Sequence, residues 1–216
     1  MAPRRAPGGL ALTSLVVRPV TLPDVDAIAA VHRRAFADSA LTSLGSEAIR
    51  RYYRSLLGPA HEPAAFVATS EGQVVGFAFG GRLRRPVAQF VRDNRLFLAT
   101  RLLARPWLLF GRIVRSRASL GARLLVTRTA PAAPVSPSLP SFAILSIATD
   151  PAYARRGVGS SLIARMVDEA RARGFTRMHL TVHQSNAAAI AFYEREGWVR
   201  TPGAAGWDGR MSRSVA

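Results

Sequence analysis

The 216-residue chain contains no cysteine and no lysine. Without cysteine there is no disulfide, no thiolate metal site and no Cys nucleophile, an absence that fits a cytoplasmic protein. Without lysine all 30 basic residues are arginine, a usage that a GC-rich coding bias accounts for. Acidic residues are few, 13, so the net charge is +17. Long apolar runs are missing too, and with no stretch of about 18 uninterrupted apolar residues no ordinary membrane span is expected. The start, Met1-Ala-Pro-Arg-Arg-Ala-Pro, faintly imitates a signal peptide. It lacks a clear small-x-small cleavage site and Arg18-Pro19 follows closely, so residues 1–14 read as a loose tail leading into a first strand.

Nearly half of the residues are hydrophobic, which excludes a disordered chain, and the length suits one domain over 15–216. Leu15–Val20 is strand-like. Thr21 and Asp24 then open a helix on which Val25, Ile28, Ala29, His32 and Phe36 recur at helical spacing. Ser46 is an N-cap candidate for a second helix carrying Ile49, Tyr52, Tyr53, Leu56 and Leu57, stopped by Gly58-Pro59. Ala65–Thr69 and Val74–Gly80, joined by Ser70-Glu-Gly-Gln, read as an antiparallel hairpin. Beyond residue 142 the order is strand, helix (158 to Gly174), strand (177–182), helix (from Asn186 to about Glu196) and two closing strands. That alternation implies parallel pairing beside the earlier hairpin, hence a mixed sheet.

The intervening 82–140 segment is different. Residues 82–128 hold 12 arginines against Asp93 alone, net +11 of the total, and a Pro-rich linker closes the segment at 131–140. Helical spacing runs from about Val87 to Arg105 and again from Pro106 to Ser119. Such charge raises nucleic acid, an anionic membrane surface or a polyanion as partner. No nucleic-acid docking motif accompanies it, and its arginines do not segregate to one face as an interfacial helix requires.

The chemistry-bearing stretch is Leu145-Ser-Ile-Ala-Thr-Asp-Pro-Ala-Tyr-Ala-Arg-Arg-Gly-Val-Gly-Ser-Ser. A strand entering a Gly-rich turn and then a helix presents free backbone N–H groups and a helix dipole to one point, where a pyrophosphate fits. Neither the Walker A spacing nor Gly-x-Gly-x-x-Gly is present.

Together with Asn186-Ala-Ala-Ala-Ile-Ala-Phe-Tyr-Glu-Arg-Glu-Gly-Trp198, this stretch resembles the GNAT superfamily of acyl-CoA N-acyltransferases. The family pattern Gln/Arg-x-x-Gly-x-Gly/Ala stands here as Ala154-Arg-Arg-Gly-Val-Gly159, with Ala154 as the departure. The resemblance is strong over 142–201, weaker over 15–81 and absent over 82–140. It implies an α/β (α+β) fold with a mixed, mostly antiparallel sheet, flanked by helices, in which two parallel strands splay apart to hold acetyl-CoA or another acyl-CoA. The pantetheine would pair with Ile147, Ala148 and Thr149. The pyrophosphate would lie on the amides of Arg155, Arg156, Gly157, Val158, Gly159, Ser160 and Ser161, and Asn186 would touch the pantetheine. Tyr193 would be the general acid that protonates the departing thiolate.

The family's general bases do not carry over. Thr181 stands where a ribosomal-protein-acetylating branch has Glu, and Ala143 where histone-acetylating relatives do. Alternation puts His179, Thr181 and His183 on one strand face, which makes the two histidines base candidates; a water relayed by Ser146 or Thr149 is the alternative. His32 and His61 read as structural or surface residues. Tyr52 and Tyr53 stand between acceptor-pocket lining and core. The reaction expected is transfer of acetyl to a primary amine in a ternary complex, with no metal. A small-molecule amine is the first expectation, a protein N-terminus or lysine the second, and a non-catalytic, membrane-peripheral acyl-CoA binder the third. The 82–140 segment is expected to cap the acceptor side or to meet a membrane or partner, and a homodimer is a secondary expectation.

Overall fold

A computed structural model describes residues 15–59, 61–82, 85–104, 142–203 and 206–215. The 1–14 tail and the second part of the basic segment, with its Pro-rich linker, lie outside the described residues.

The first turn shows how local chemistry starts the fold. Strand β1 (Leu15–Pro19) runs into helix α1 (Val25–Ala35) through Thr21 and Asp24. The Thr21 amide and hydroxyl both donate to the Asp24 carboxylate at 2.8 Å, and Arg18 grips the same carboxylate with two bonds of 2.7 Å. Those Arg18 bonds, above all, hold Asp24 down at a pKa of about 2 against the cost of burial. A short turn of helix, α2 (Ala40–Ser43), precedes α3 (Ser46–Leu56). The α3 cap is Gly45 at φ 97°, not Ser46, whose hydroxyl instead accepts from Arg33.

Strands β2 (Glu62–Ser70) and β3 (Gln73–Arg82) form the expected hairpin. Its two-residue turn, Glu71-Gly72, has φ of 51° and 76°, the primed geometry that suits twisted strands. The basic segment then begins as α4 (Pro86–Asp93) and α5 (Arg95–Ala104), broken at Asn94 rather than running through. Strand β4 (Phe142–Thr149), helix α6 (Val158–Ala172), strand β5 (Arg177–Thr181), helix α7 (Ala187–Arg195) and the hairpin β6 (Val199–Gly203) and β7 (Gly206–Ser214) complete the described chain.

The strands make one sheet in the order β1-β2-β3-β4-β5-β7-β6. Every pairing is antiparallel except β4 with β5. One face carries α1 and α3, which bury Ile28, Val31, Ile49 and Tyr53 against Phe77 and Phe79. The other carries α6 and α7. The apolar stripe of α6 (Leu162, Ile163, Met166, Val167, Ala170) is buried there, with Phe66, Phe142 and Ile144. That helix lies close on β3 because two strand positions have no side chain. A Cβ on Gly76 would stand 2.7 Å from Val158, and one on Gly80 2.5 Å from Met166.

Two irregularities shape the middle of the sheet. β4 pairs with β5 only at Phe142↔Met178 and Ala143↔His179, after which the strands part. The β5-facing backbone edge of β4 from Ile144 to Thr149 is therefore left without a strand partner. Opposite β3 the register jumps from Gly80↔Ile144 to Phe79↔Ser146, so Leu145 is an extra residue, a β-bulge. The bulge changes which faces the following residues meet. Ile144 packs with the α6 layer, whereas Leu145 and Ala148 pack with the α1/α3 layer, and Ser146 meets Tyr53 on that same side. Simple alternation along β4 does not foresee this.

Candidate active site

The loop after β4 is held from below by a residue that the sequence reading passed over. Asp150 is buried. Its carboxylate accepts from the Ala152 amide and from Arg34 of α1, the latter at 2.6 to 2.8 Å. Its own amide donates to the Val75 carbonyl. One aspartate thus ties the Pro151–Tyr153 turn to both a helix and a strand.

The chain next reverses at Arg155 (φ 61°) and Gly157 (φ 80°) and enters α6. The left-handed geometry at Gly157, the N-cap, is the conformation in which an L side chain is strained. The first amides of the helix have no intrahelical acceptor and collect beside the loop. Ser161 is different: its amide donates to the Gly157 carbonyl at 3.0 Å, so it is not available to an anion. Gly159 faces α7. A Cβ there would lie 3.1 Å from the Phe192 ring, and the Ser160 hydroxyl donates to Glu196 at the end of α7 at 2.6 Å. These contacts set the two helices beside the parted strands.

The result is a groove of about 520 Å³. Of the residues expected to hold CoA, Ile147, Ala148, Thr149, Arg155, Gly157, Val158, Gly159 and Ser160 line it. Arg156 and Ser161 are not among the lining residues. Arg156 instead lies over the Tyr153 ring. Asn186 is not among them either; it caps α7, its side chain accepting from the Ala189 amide. Tyr153, Ala154, Ala189, Phe192 and Arg195 also line the groove. Ala189, Phe192 and Arg195 sit in the second motif, and their three-residue spacing along one side of the helix was the available signal. Arg155 and Arg195 give the groove cationic side chains beside the free amides, and its β4 wall is the unpaired backbone edge. An anionic, extended ligand fits such a site.

Tyr193 lines the groove and is otherwise buried. It packs edge-on against Trp198 and against Phe192. Burial pushes its phenol up to about 12, so it is fully protonated at neutral pH.

The opposite face of the splay is that of α1 and α3. The burial alternation of β5 hides Met178 and Leu180 among the α6 layer and exposes His179 and Thr181 on the other side. Desolvation lowers the His179 imidazole from its usual value. His183 lies just beyond the strand and is exposed, as His179 and Thr181 are. The strand ends at Thr181, and the His183 ring turns to the Ser185 hydroxyl at 2.8 Å. Tyr53 is fully buried and Tyr52 is half-buried against Phe90, so Tyr53 is core. Its hydroxyl nevertheless reaches Ser146 at 3.2 Å on one side and His32 at 2.9 Å on the other. His32 and His61, expected as structural or surface residues, are both buried. His32 is hydrogen-bonded through both ring nitrogens, whereas His61 has no ring partner among the described residues. No group of three His, Asp or Glu side chains among the described residues is placed to hold a metal ion.

A family model described as the acetyltransferase (GNAT) family matches residues 122–198. Ribosomal protein bS18-alanine N-acetyltransferases of Escherichia coli and of Salmonella typhimurium are each 46% identical to this chain over 55 residues, 26% of the chain. The match spans only 37% of those relatives' length. In shape, the chain is similar to ribosomal-protein-alanine N-acetyltransferase from Escherichia coli, with a TM-score of 0.56 at 19% identity, covering 94% of this chain and 95% of that one. It is also similar to PaiA N-acetyltransferase from Thermoplasma acidophilum in complex with coenzyme A. There the TM-score is 0.57 at 12% identity, covering 94% and 99%. The two motifs, the parted strands of the sheet and the family match over 122–198 point the same way, and the chain resembles the GNAT family there.

Proposed function

We propose that the protein is an N-acetyltransferase that moves acetyl from acetyl-CoA to a primary amine by direct attack in a ternary complex. The observation that carries this reading is the groove itself, in which an unpaired strand edge, free helix-start amides and Tyr193 share one cavity. The edge of β4 at Ile147 to Thr149 suits the amide groups of pantetheine, which would complete the parted sheet as a strand does. The amides at Gly157 to Ser160, with Arg155 and Arg195, suit the pyrophosphate. Tyr193, which carries its proton at neutral pH, suits donation to the sulfur as the C–S bond breaks. His179 and Thr181 are exposed on the β5 face opposite the α6 layer, and His179, whose pKa desolvation lowers, is favoured as base over His183 and over a water relayed by Ser146 or Thr149.

The acceptor favoured is the N-terminus of a protein rather than a small amine. Support comes from the relatives, whose names specify the alanine of a ribosomal protein. Peptides with a free N-terminal alanine, a lysine-containing peptide with a blocked N-terminus and a panel of small amines separate the readings when thiolate release from acetyl-CoA is followed. The N-terminal peptide is expected to give the highest kcat/KM. Faster turnover of a small amine would return the acceptor to that class, and tight acetyl-CoA binding without turnover on any amine would leave only a binding protein.

A further inference from the structure

Five side chains, Thr42, Ser39, His32, Tyr53 and Ser146, join the short helix α2 to the bulge of β4, and their hydrogen-bond directions can be deduced in order. The Thr42 hydroxyl lies 2.8 Å from the Phe36 carbonyl, which only accepts, so Thr42 donates there. A hydroxyl has one proton. Thr42 must therefore accept from the Ser39 hydroxyl, 3.0 Å away. Ser39, its proton committed, accepts from the Thr42 amide at 3.1 Å and from His32 Nε2 at 3.2 Å. With its proton on Nε2, the neutral ring leaves Nδ1 as an acceptor, and the Tyr53 hydroxyl donates to it at 2.9 Å. Tyr53 then accepts from the Ser146 hydroxyl at 3.2 Å. The direction of every link follows from one backbone carbonyl, and the last member, Ser146, is left with lone pairs only.

We propose that this chain, running from Ser39 through His32 and Tyr53 to Ser146, presents Ser146 Oγ as a hydrogen-bond acceptor to the incoming amine. Ser146 is the binding residue, and His32 and Tyr53 are positioning residues acting through it. The proposal rests on the N-acetyl transfer reading and names the acceptor-side contact of that same site. Ser146 is only partly buried and stands at the bulge, where β4 has already parted from β5 and one residue before the groove-lining Ile147. An amine that gives one N–H to Ser146 has its lone pair turned elsewhere, so the contact orients the nucleophile. A neutral His32 is what the polarity requires, and burial among Phe36, Tyr53 and Phe77 lowers its pKa to about 4. Ser39, His32, Tyr53 and Ser146 lie up to 114 positions apart in sequence (32 to 146), which is why no motif announces them.

The test uses full-length enzyme and the best amine found for it, with kcat and both KM values measured for Ser146→Ala, Ser146→Thr, Tyr53→Phe and their double variant. Loss of one hydrogen bond to a buried or charged donor predicts a fall in kcat/KM for the amine of about 10- to 100-fold in Ser146→Ala. Tyr53→Phe, which frees the Ser146 proton to point at the amine, is expected to fall in the same range. The KM for acetyl-CoA should stay within about twofold, Ser146→Thr should recover most of the loss by keeping the hydroxyl, and the double variant should be no worse than Ser146→Ala because the two act as one unit. Wild-type amine kinetics in Ser146→Ala, or a parallel rise in the KM for acetyl-CoA, would overturn the proposal while leaving acetyl transfer standing. A wild-type enzyme that acetylates no amine removes the parent reading instead, and this proposal with it. If Tyr53→Phe does not fold, the Ser146→Ala and Ser146→Thr pair decides alone.

Discussion

At the residue scale, two buried rings have opposite tasks. Tyr193 is held protonated by burial, with a pKa near 12, and its proposed task is to give that proton to a thiolate. Tyr193→Phe keeps the ring packing with Trp198 and Phe192 and removes only the hydroxyl. The expected outcome is a fall in kcat of about 10² to 10⁴ with unchanged CoA affinity by calorimetry; an unchanged kcat would remove Tyr193 as the acid. His32 carries a stability signature. Its folded pKa of about 4 lies below the ordinary 6.5, so between those values the unfolded chain binds the extra proton. Its contribution is complete above about pH 6.5 and is lost as the pH falls toward 4. Urea unfolding at pH 7 and pH 5 should show the wild type losing roughly 2 kcal/mol more than His32→Gln, which does not titrate. Equal losses would show that the ring is not buried neutral.

Elements explain what the chain order alone leaves open. The α6 stripe, the hairpin and both Gly-stopped helices were readable because each depends on spacing within a dozen residues. The shape of the loop proposed to hold CoA was readable for the same reason: Gly157 and Gly159 are local requirements, one for φ 80° and one for the approach of Phe192. Gly157→Ala should cost about 1 to 2 kcal/mol in a left-handed position and move the helix-start amides. It is expected to weaken CoA binding about tenfold, measured by calorimetry, while Gly174→Ala, equally left-handed (φ 74°) but at the far end of α6, should leave CoA affinity unchanged. The bulge at Leu145 was not readable, because an extra residue is defined only against the register of β3. Nor was the end of β5 at Thr181, two residues before His183. The ties of Asp150 and the hydrogen bonds of His32 were hidden for a different reason. Their partners, Arg34 and Tyr53, come from elements distant in sequence.

Taken whole, the molecule separates its charge from its chemistry. The net charge of +17 first raised polyanion binding, yet +11 of it falls in residues 82–128. The first part of that segment packs on α3, with Tyr52 against Phe90 and Arg51 over the Phe97 ring at 4.2 Å, on the acceptor-side layer. No described helix is long and apolar enough to cross a membrane. The groove uses backbone amides and only two lining arginines. Fold class and the proposed CoA groove were therefore legible in about sixty contiguous residues, while the proposed acceptor side, assembled from α1, α3 and the bulged β4, needed the folded molecule. The most direct measurement is the stoichiometry of transfer: free CoA thiol and acetylated amine, quantified together from acetyl-CoA and an alanine-ended peptide. The account expects the two to appear in equal amounts and to fall together in Tyr193→Phe. Tight acetyl-CoA binding with neither product, across every amine offered, would contradict it.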